Sequence, residues 1–291
     1  MLIQEVESAL RDGGFNYCEY RGCFDIAARK DSMILIKLLT NVDSLHEDQA
    51  DNLKVMSASL EAKSILVGLH TRRERLEDNV LYGRFDIPTV TPGTFENIIV
   101  NNALPIIYQF RGGRFAEISP EKLREARERR GLSQSELAAK VGISKKSIYE
   151  HESKRMKIEH ANAVKMERIL KTELIEPIGL ESKSYDINLI PKTVFETKIS
   201  RTFHRIGFDT ASVYQSPFNM IAQHDGTLLL SDVEEKPKAK NISAIKNFAK
   251  VSKKSAVVVT KEEANFDMPT ITEKKLAQMD ANDIRKFVKH W

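Results

Sequence analysis

Cysteine is nearly absent from this chain of 291 residues, occurring only as Cys18 and Cys23. Neither has companion Cys or His ligands at the close spacing that a zinc site needs, so both read as reduced packing residues and no metal is expected there. Also missing is a basic start followed by a long apolar core, so Met1-Leu-Ile-Gln-Glu-Val-Glu7 lacks the build of a secretion signal. The apolar runs Met33-Ile-Leu-Ile36 and Ala256-Val-Val-Val259 fall far short of the ~20 residues that cross a bilayer. These absences point to a cytoplasmic protein, and nothing in the sequence calls for a cofactor. A strong overall charge is lacking too, the formal net value being +4. The charge is uneven, however. Residues 111–173 hold sixteen basic and ten acidic side chains, a net of +6, which leaves −2 for the remainder. Local basicity of this kind suits a nucleic-acid-reading module between neutral flanks.

The length implies more than one domain, and 41% hydrophobic residues suffice for ordinary buried cores. Val6 and Leu10 lie at helical spacing before Gly13-Gly14. Strands are expected at Phe15 to Tyr20, Cys23 to Arg29 and Met33 to Leu39, then a helix at Glu47 to Leu60 and strands at Ser64 to Leu69 and Ile87 to Thr91. A helix at Phe95 to Val100 closes this α/β unit with a mixed sheet. Ile106 to Phe110 and Arg114 to Ile118 read as a hairpin about Gly112-Gly113. Ser119-Pro120 supplies an N-cap and first helical residue, and Glu159 to Leu174 continues as an amphipathic helix.

The last third repeats the first. Gly14-Phe15 matches Gly207-Phe208, and Phe24 to Leu35 matches Phe218 to Leu229 without a gap. Lys63 to Val67 matches Lys254 to Val258, and Ile87-Pro-Thr-Val-Thr91 matches Met268-Pro-Thr-Ile-Thr272. Four blocks in the same order imply two copies of one α/β unit with a domain inserted between them. The expected division is 1–105 for the first copy, 106–118 for a hairpin connector, 119–178 for the insertion, 179–192 for a linker and 193–291 for the second copy.

The insertion carries the functional signal. Leu137, Val141, Ile143 and Ile148 fall where two helices of a helix-turn-helix share a core, Ala138 is small at their crossing, and Gly142 sits in the turn where φ > 0 is needed. Ser133 and Ser144 are placed as N-caps. Leu132-Ser-Gln-Ser-Glu-Leu-Ala138 and Gly142-Ile-Ser-Lys-Lys-Ser-Ile148, followed by Glu152, resemble the Cro/C1-type helix-turn-helix family. That resemblance implies DNA contact by Gln134, Ser144, Lys145, Lys146, Ser147 and Tyr149, with a recognition helix of about 144–153 in the major groove. Lys145 and Lys146 can reach guanine edges or phosphate, and Arg124, Arg127, Arg155 and Lys157 are candidate phosphate contacts. Two positions depart from the family. His151 stands where an aromatic is common, and Lys154 where a Gly usually ends the helix.

Asp25 and Lys37, on adjacent strands, resemble part of the restriction-endonuclease-like arrangement, in which an Asp and a Glu-x-Lys hold Mg²⁺ for phosphodiester cleavage. Leu35 stands where the second carboxylate belongs, so Asp25 and Lys37 are vestigial candidates, with Asp43 or Glu47 as possible substitutes. By the gapless match, the second copy replaces Asp25 by Asn219 and Lys37 by Ser231. Phe24-Asp-Ile-Ala-Ala-Arg29, Ile36 to Leu45 and Leu123-Arg-Glu-Ala-Arg127 also resemble a family of archaeal Cro/C1-type transcriptional regulators. The expected fold is therefore α/β, with a duplicated, mixed-sheet, restriction-endonuclease-like unit and an inserted all-α Cro/C1-type helix-turn-helix domain. The expected function is sequence-specific regulation of transcription on double-stranded DNA, as a homodimer and without catalysis. A Mg²⁺-dependent nuclease and a non-catalytic scaffold for a partner or ligand are the alternatives.

Overall fold

The computed structural model describes residues 2–110, 112–180, 187, 189–237 and 239–289. Its elements begin with α1 (Leu2–Asp12), β1 (Asn16–Glu19), β2 (Ile26–Arg29), β3 (Met33–Asn41), α2 (Glu47–Leu60) and β4 (Lys63–His70). They continue with β5 (Val80–Arg84), β6 (Ile87–Val90), α3 (Pro92–Asn101), β7 (Ile107–Phe110) and β8 (Gly113–Ile118). Next come α4 (Pro120–Arg129), α5 (Gln134–Val141), α6 (Lys145–Ser153), β9 (Lys157–Glu159), α7 (His160–Leu170) and β10 (Ile175–Glu176). The last third holds α8 (Val194–Arg205), β11 (Asp209–Ser212), β12 (Met220–His224), β13 (Thr227–Val233), α9 (Ala239–Ser252), β14 (Ser255–Thr260), β15 (Thr270–Thr272), α10 (Glu273–Leu276) and α11 (Ala281–Lys289). Two compact units result. One comprises Met1–Ala9, Thr40–Asp43 and Val67–Glu181, and the other Leu10–Leu39, Ser44–Leu66 and Ser182–Trp291. Half of the expected linker 179–192, namely 181–186 and 188, lies outside the described residues.

In the first unit the strands run β6-β5-β7-β8-β10, with β9 also paired to β8. The hairpin of β7 and β8 turns through Gly112 and Gly113, whose φ values are 103° and 146°. β8 is the seam of the inserted domain, because it pairs with β7, β9 and β10. Its Ala116 and Ile118, with Ile158 of β9, are buried in one core with Leu123, Leu137, Ile148, Met166 and Leu170 of the four helices. The helical domain thus carries a small β component, in which β8 matches the expected strand at Arg114 to Ile118 while β9 and β10 have no counterpart in the sequence expectation. The helix expected to run to Leu174 stops at Leu170, since Lys171 takes φ 51°. The Glu167 carboxylate then accepts the N–H groups of Leu174 and Ile175 and turns the chain into β10. β5 was not expected either, and α3 starts earlier than expected, at Pro92, capped by the Thr91 hydroxyl accepting from Thr94 N–H.

The second unit contains most of the repeat. Strands β1-β2-β3-β4 and β11-β12-β13-β14 follow in the same order, with the long helices α2 and α9 between the third and fourth of each set. The core of the second copy gathers Ile199, Phe203, Phe208, Leu229, Val257 and Val259. α9 packs on β1 and β2 as well as on β13 and β14. Its Phe248 lies between Phe24 and Phe218, the two matched phenylalanines, with ring centroids 5.4 and 5.2 Å away. α2 reciprocates. Asn52 Oδ1 accepts from Tyr214 N–H and Asp48 accepts from the Gln215 amide at 3.0 Å. Cys23 N–H donates to Gln215 O at 2.7 Å, an approach that requires Gly22, whose added Cβ would fall 1.8 Å from that oxygen. Both cysteines are free, and buried Cys23 rests against Met56.

The gapless match of the copies needs one correction. Asp25 N–H bonds Ile36 O, and Leu38 N–H bonds Asp25 Oδ2. The corresponding bonds of Asn219 go to Ser231 O and from Val233 N–H. Ile36 therefore corresponds to Ser231, Leu38 to Val233, and Lys37 to Asp232 rather than to Ser231. The slip arises in the hairpin. Arg29 pairs with Met33 across a three-residue turn, whereas His224 pairs with Thr227 across Asp225-Gly226. Asp225 and Gly226 both take positive φ, 42° and 72°, as a tight two-residue hairpin requires.

Candidate nucleic-acid interface

The inserted domain is built from capped helices. Ser119 accepts from Lys122 N–H with Pro120 in the first turn of α4, and Ser144 accepts from Ser147 N–H to open α6. Ser133 and Glu136 form a reciprocal capping box on α5. The Ser133 N–H and hydroxyl hold the Glu136 carboxyl below its ordinary range. α5 ends at Gly142, φ 88°, which frees the chain to turn sharply into α6. Leu137, Ala138, Val141 and Ile148 are buried between the two helices, with Ile143 packed against them.

One carboxylate fixes the far end of α6. Glu152 is buried. Arg127 grips both of its oxygens, Nε to Oε1 at 2.5 Å and an Nη to Oε2 at 3.0 Å, and reaches Leu132 O at 2.8 Å. Gln134 Nε2 donates to Oε2 at 2.9 Å, and Arg124 donates to the Glu152 carbonyl at 2.8 Å. Burial alone would raise the Glu152 carboxyl, but the bonds from Arg127 and Gln134 outweigh it and hold the group below the ordinary glutamate range. Sequence reasoning placed Arg127 and Gln134 on DNA. The structure gives both a positioning part, locking α4, α5 and α6 together, and Gln134 keeps only partial exposure. Glu152 appeared in the sequence only as a motif position, and its burial beside a basic helix is what marks its role.

The solvent side of α6 presents Ser144, Lys145, Lys146 and Tyr149, with Ser147 half-buried. Tyr149 is 59% exposed, unusual for so large an apolar ring. Lys145 and Lys146 stand four and three residues before it, so the three side chains lie together on one surface. Arg124 is exposed, although one Nη is committed to Glu152 O. Arg155 is exposed and pairs with Glu176 at 2.9 Å. Lys157 sits over the rings of Tyr108 and Phe110, at 3.9 and 4.1 Å from their centroids. The two family departures are accommodated. His151 is buried, its Nδ1 has no hydrogen-bond partner among the described residues, and burial lowers its pKa. Lys154 ends α6 in extended backbone, φ −155°, so no left-handed glycine is needed.

At the nuclease-like position, Lys37 Nζ bonds Gly22 O at 2.7 Å and Asp25 Oδ1 at 3.2 Å, while Asp25 Oδ2 takes the Leu38 N–H at 2.7 Å. Both carboxylate oxygens are thus engaged, and buried Leu35 supplies no second carboxylate. Asp43 is held by Arg72 N–H and Arg84 Nε, and Glu47 is the first residue of α2. Among the described residues no group of three or more His, Cys, Asp or Glu could hold a metal ion. The residues present do not fit a Mg²⁺ centre. In the second copy the Asn219 amide bonds Val233 through both its oxygen and its nitrogen and also donates to Glu196, a pattern a carboxylate could not make.

Fold and site define a helix-turn-helix DNA-binding protein joined to nuclease-like α/β units. A helix-turn-helix family model matches residues 123–176, and a PD-(D/E)XK superfamily domain matches residues 1–105. A "Putative HTH-type transcriptional regulatory protein" of Thermococcus kodakarensis is 32% identical over 99% of this chain and 94% of its own length. Proteins of the same description from Pyrococcus horikoshii and Methanocaldococcus jannaschii are 30% and 29% identical, over 99% and 100% of this chain and 96% and 95% of their own. The chain belongs to this archaeal family of helix-turn-helix transcriptional regulatory proteins. No solved structure matches it. Among the described residues no helix is long and apolar enough to cross a membrane.

Proposed function

We propose that the chain reads a specific operator in double-stranded DNA by laying α6 in the major groove, acts as a homodimer in the cytoplasm, and does not cleave its target. The observation that carries this reading is the exposed surface of Lys145, Lys146 and Tyr149 on a helix whose other side is locked by Glu152 and Ile148. A rigidly held helix with cations near its start can donate to base edges without ordering itself at the moment of binding. Arg124, Ser144, Ser147 and Arg155 are the flanking contacts of this proposal, and Arg124 and Arg155 would meet phosphates. One recognition helix per chain makes two chains the economical reader of a two-fold operator. The nuclease reading is disfavoured by the occupied oxygens of Asp25 and by Leu35.

The test is selection of bound fragments from the protein's own genome, followed by footprinting. The expected footprint has two inverted half-sites separated by about one helical turn, ~34 Å, or a multiple of it. Protection of a single unpaired half-site, with a one-to-one stoichiometry in sedimentation, would refute the dimer.

A further inference from the structure

Lysines recur at positions 246, 250, 253 and 254, a spacing that carries them down one side of α9 and over its C-terminal end. Lys250 and Lys253 line a groove of about 660 Å³ whose opposite wall is formed by β1 and the turn after β2, with Arg29 and Lys30. A second depression of about 580 Å³ shares Lys250 and Lys253 and adds Lys246 and Lys254. Against six cations the two linings hold only Glu19 and Asp267 as acids. Some of the cations are already engaged. Lys246 pairs with Asp267, Arg29 donates to Ser252 O at 3.0 Å, and Lys30 donates to Gly13 O at 2.9 Å. Lys250 and Lys253 are exposed and have no ion-pair partner among the described residues.

Complementing a helix C-terminus accounts for a lysine or two in the last turn. It does not account for Arg29 and Lys30 on the facing wall, or for Lys246 nearly two turns back. The cations form a track across two adjoining depressions, which suits a polymer of repeated phosphates better than one small anion. We propose that this side of the second unit is a sequence-independent phosphate-contacting surface for duplex DNA, additional to the recognition helix. It rests on the reading of the chain as a DNA-binding protein and extends the contact to the α/β copies.

The experiment uses the full chain and a duplex lacking the operator, with affinity measured across a salt series. Each phosphate contact contributes about 0.9 to the slope of log K against log salt. Lys250→Ala/Lys253→Ala is expected to reduce that slope by about 2 with an unchanged melting temperature, and Lys250→Arg/Lys253→Arg is expected to retain it. An unchanged slope in the alanine variant overturns the proposal. So does a melting rise with inorganic phosphate that the alanine variant abolishes while its slope is unchanged, since that assigns the groove to a small anion. Lys145→Ala/Lys146→Ala is measured in parallel. If it keeps full operator selectivity while the α9 variant loses slope, the recognition-helix reading fails and the second surface stands. The opposite pattern removes the second surface alone.

Discussion

Lys37 and Asp232 stand on the same rung of two copies of one sheet, a base in one copy and an acid in the other. Lys37 is satisfied by Gly22 O and Asp25. Asp232 is 2% exposed and its Oδ2 has no hydrogen-bond partner among the described residues. Burial, reinforced by Glu234, pushes its pKa up to about 7. The second copy has therefore replaced the lysine of a nuclease-like strand with a carboxyl that is uncharged in its most stable form.

That carboxyl makes stability depend on pH with a definite sign. A folded pKa near 7, above the unfolded value of 3.8, means that folding binds a proton. The associated stability is complete below pH ~4 and is lost as pH rises through ~7. Asp232→Asn is expected to exceed wild type in urea-unfolding stability at pH 8 by about 1 kcal/mol or more, with the gap narrowing at pH 5 and closing near pH ~4. Equal stabilities at both values would show that Asp232 is solvated.

The Arg127–Glu152 pair offers a sharper probe of the inserted domain. Glu152→Gln strands the Arg127 guanidinium beside a neutral amide, and a loss of about 3 kcal/mol is expected, as for other broken buried pairs. Arg127→Met should cost a similar amount. The double variant Arg127→Met/Glu152→Leu should recover much of the loss, because no unpaired charge remains. Strict additivity of the two single effects in chemical unfolding would contradict the clamp.

Gly142→Ala isolates a backbone effect. An added Cβ meets nothing within 4 Å, so only the positive φ of 88° opposes it. The expected cost is about 1 kcal/mol, with Gly142→Asn losing less. A neutral alanine variant would mean that the α5–α6 turn relaxes.

Much of this domain was legible in the sequence because its signals are local. Ser133, Gly142 and Ser144 are each fixed by a turn or cap within four residues. The bounds of α2 at Glu47–Leu60 were readable for the same reason. What escaped detection depends on distant partners. Arg127 and Gln134 look like free DNA-facing groups until Glu152 folds back on them. The equivalence of Lys37 and Asp232 was hidden because a shorter turn and a longer β12 nearly cancel in the alignment. The strands β9 and β10 owe their existence to pairing with β8, and pairing leaves little periodicity in two or three residues.

Cleavage is the next expectation to check. Supercoiled DNA incubated with the protein and Mg²⁺ or Mn²⁺ should show no nicking above background, and Asp25→Ala should behave as wild type does. Metal-dependent cutting that disappears in Asp25→Ala would overturn the argument from Leu35 and the engaged oxygens of Asp25.

The most direct measurement compares affinity for a genomically selected operator with affinity for a scrambled duplex, by fluorescence anisotropy at one salt concentration. Lys145→Ala/Lys146→Ala is expected to lower operator affinity at least about tenfold, since each base-edge contact contributes roughly 1–3 kcal/mol, and to lower scrambled-duplex affinity far less. The ratio of the two should collapse toward one. A folded variant that keeps the wild-type ratio would contradict recognition by α6.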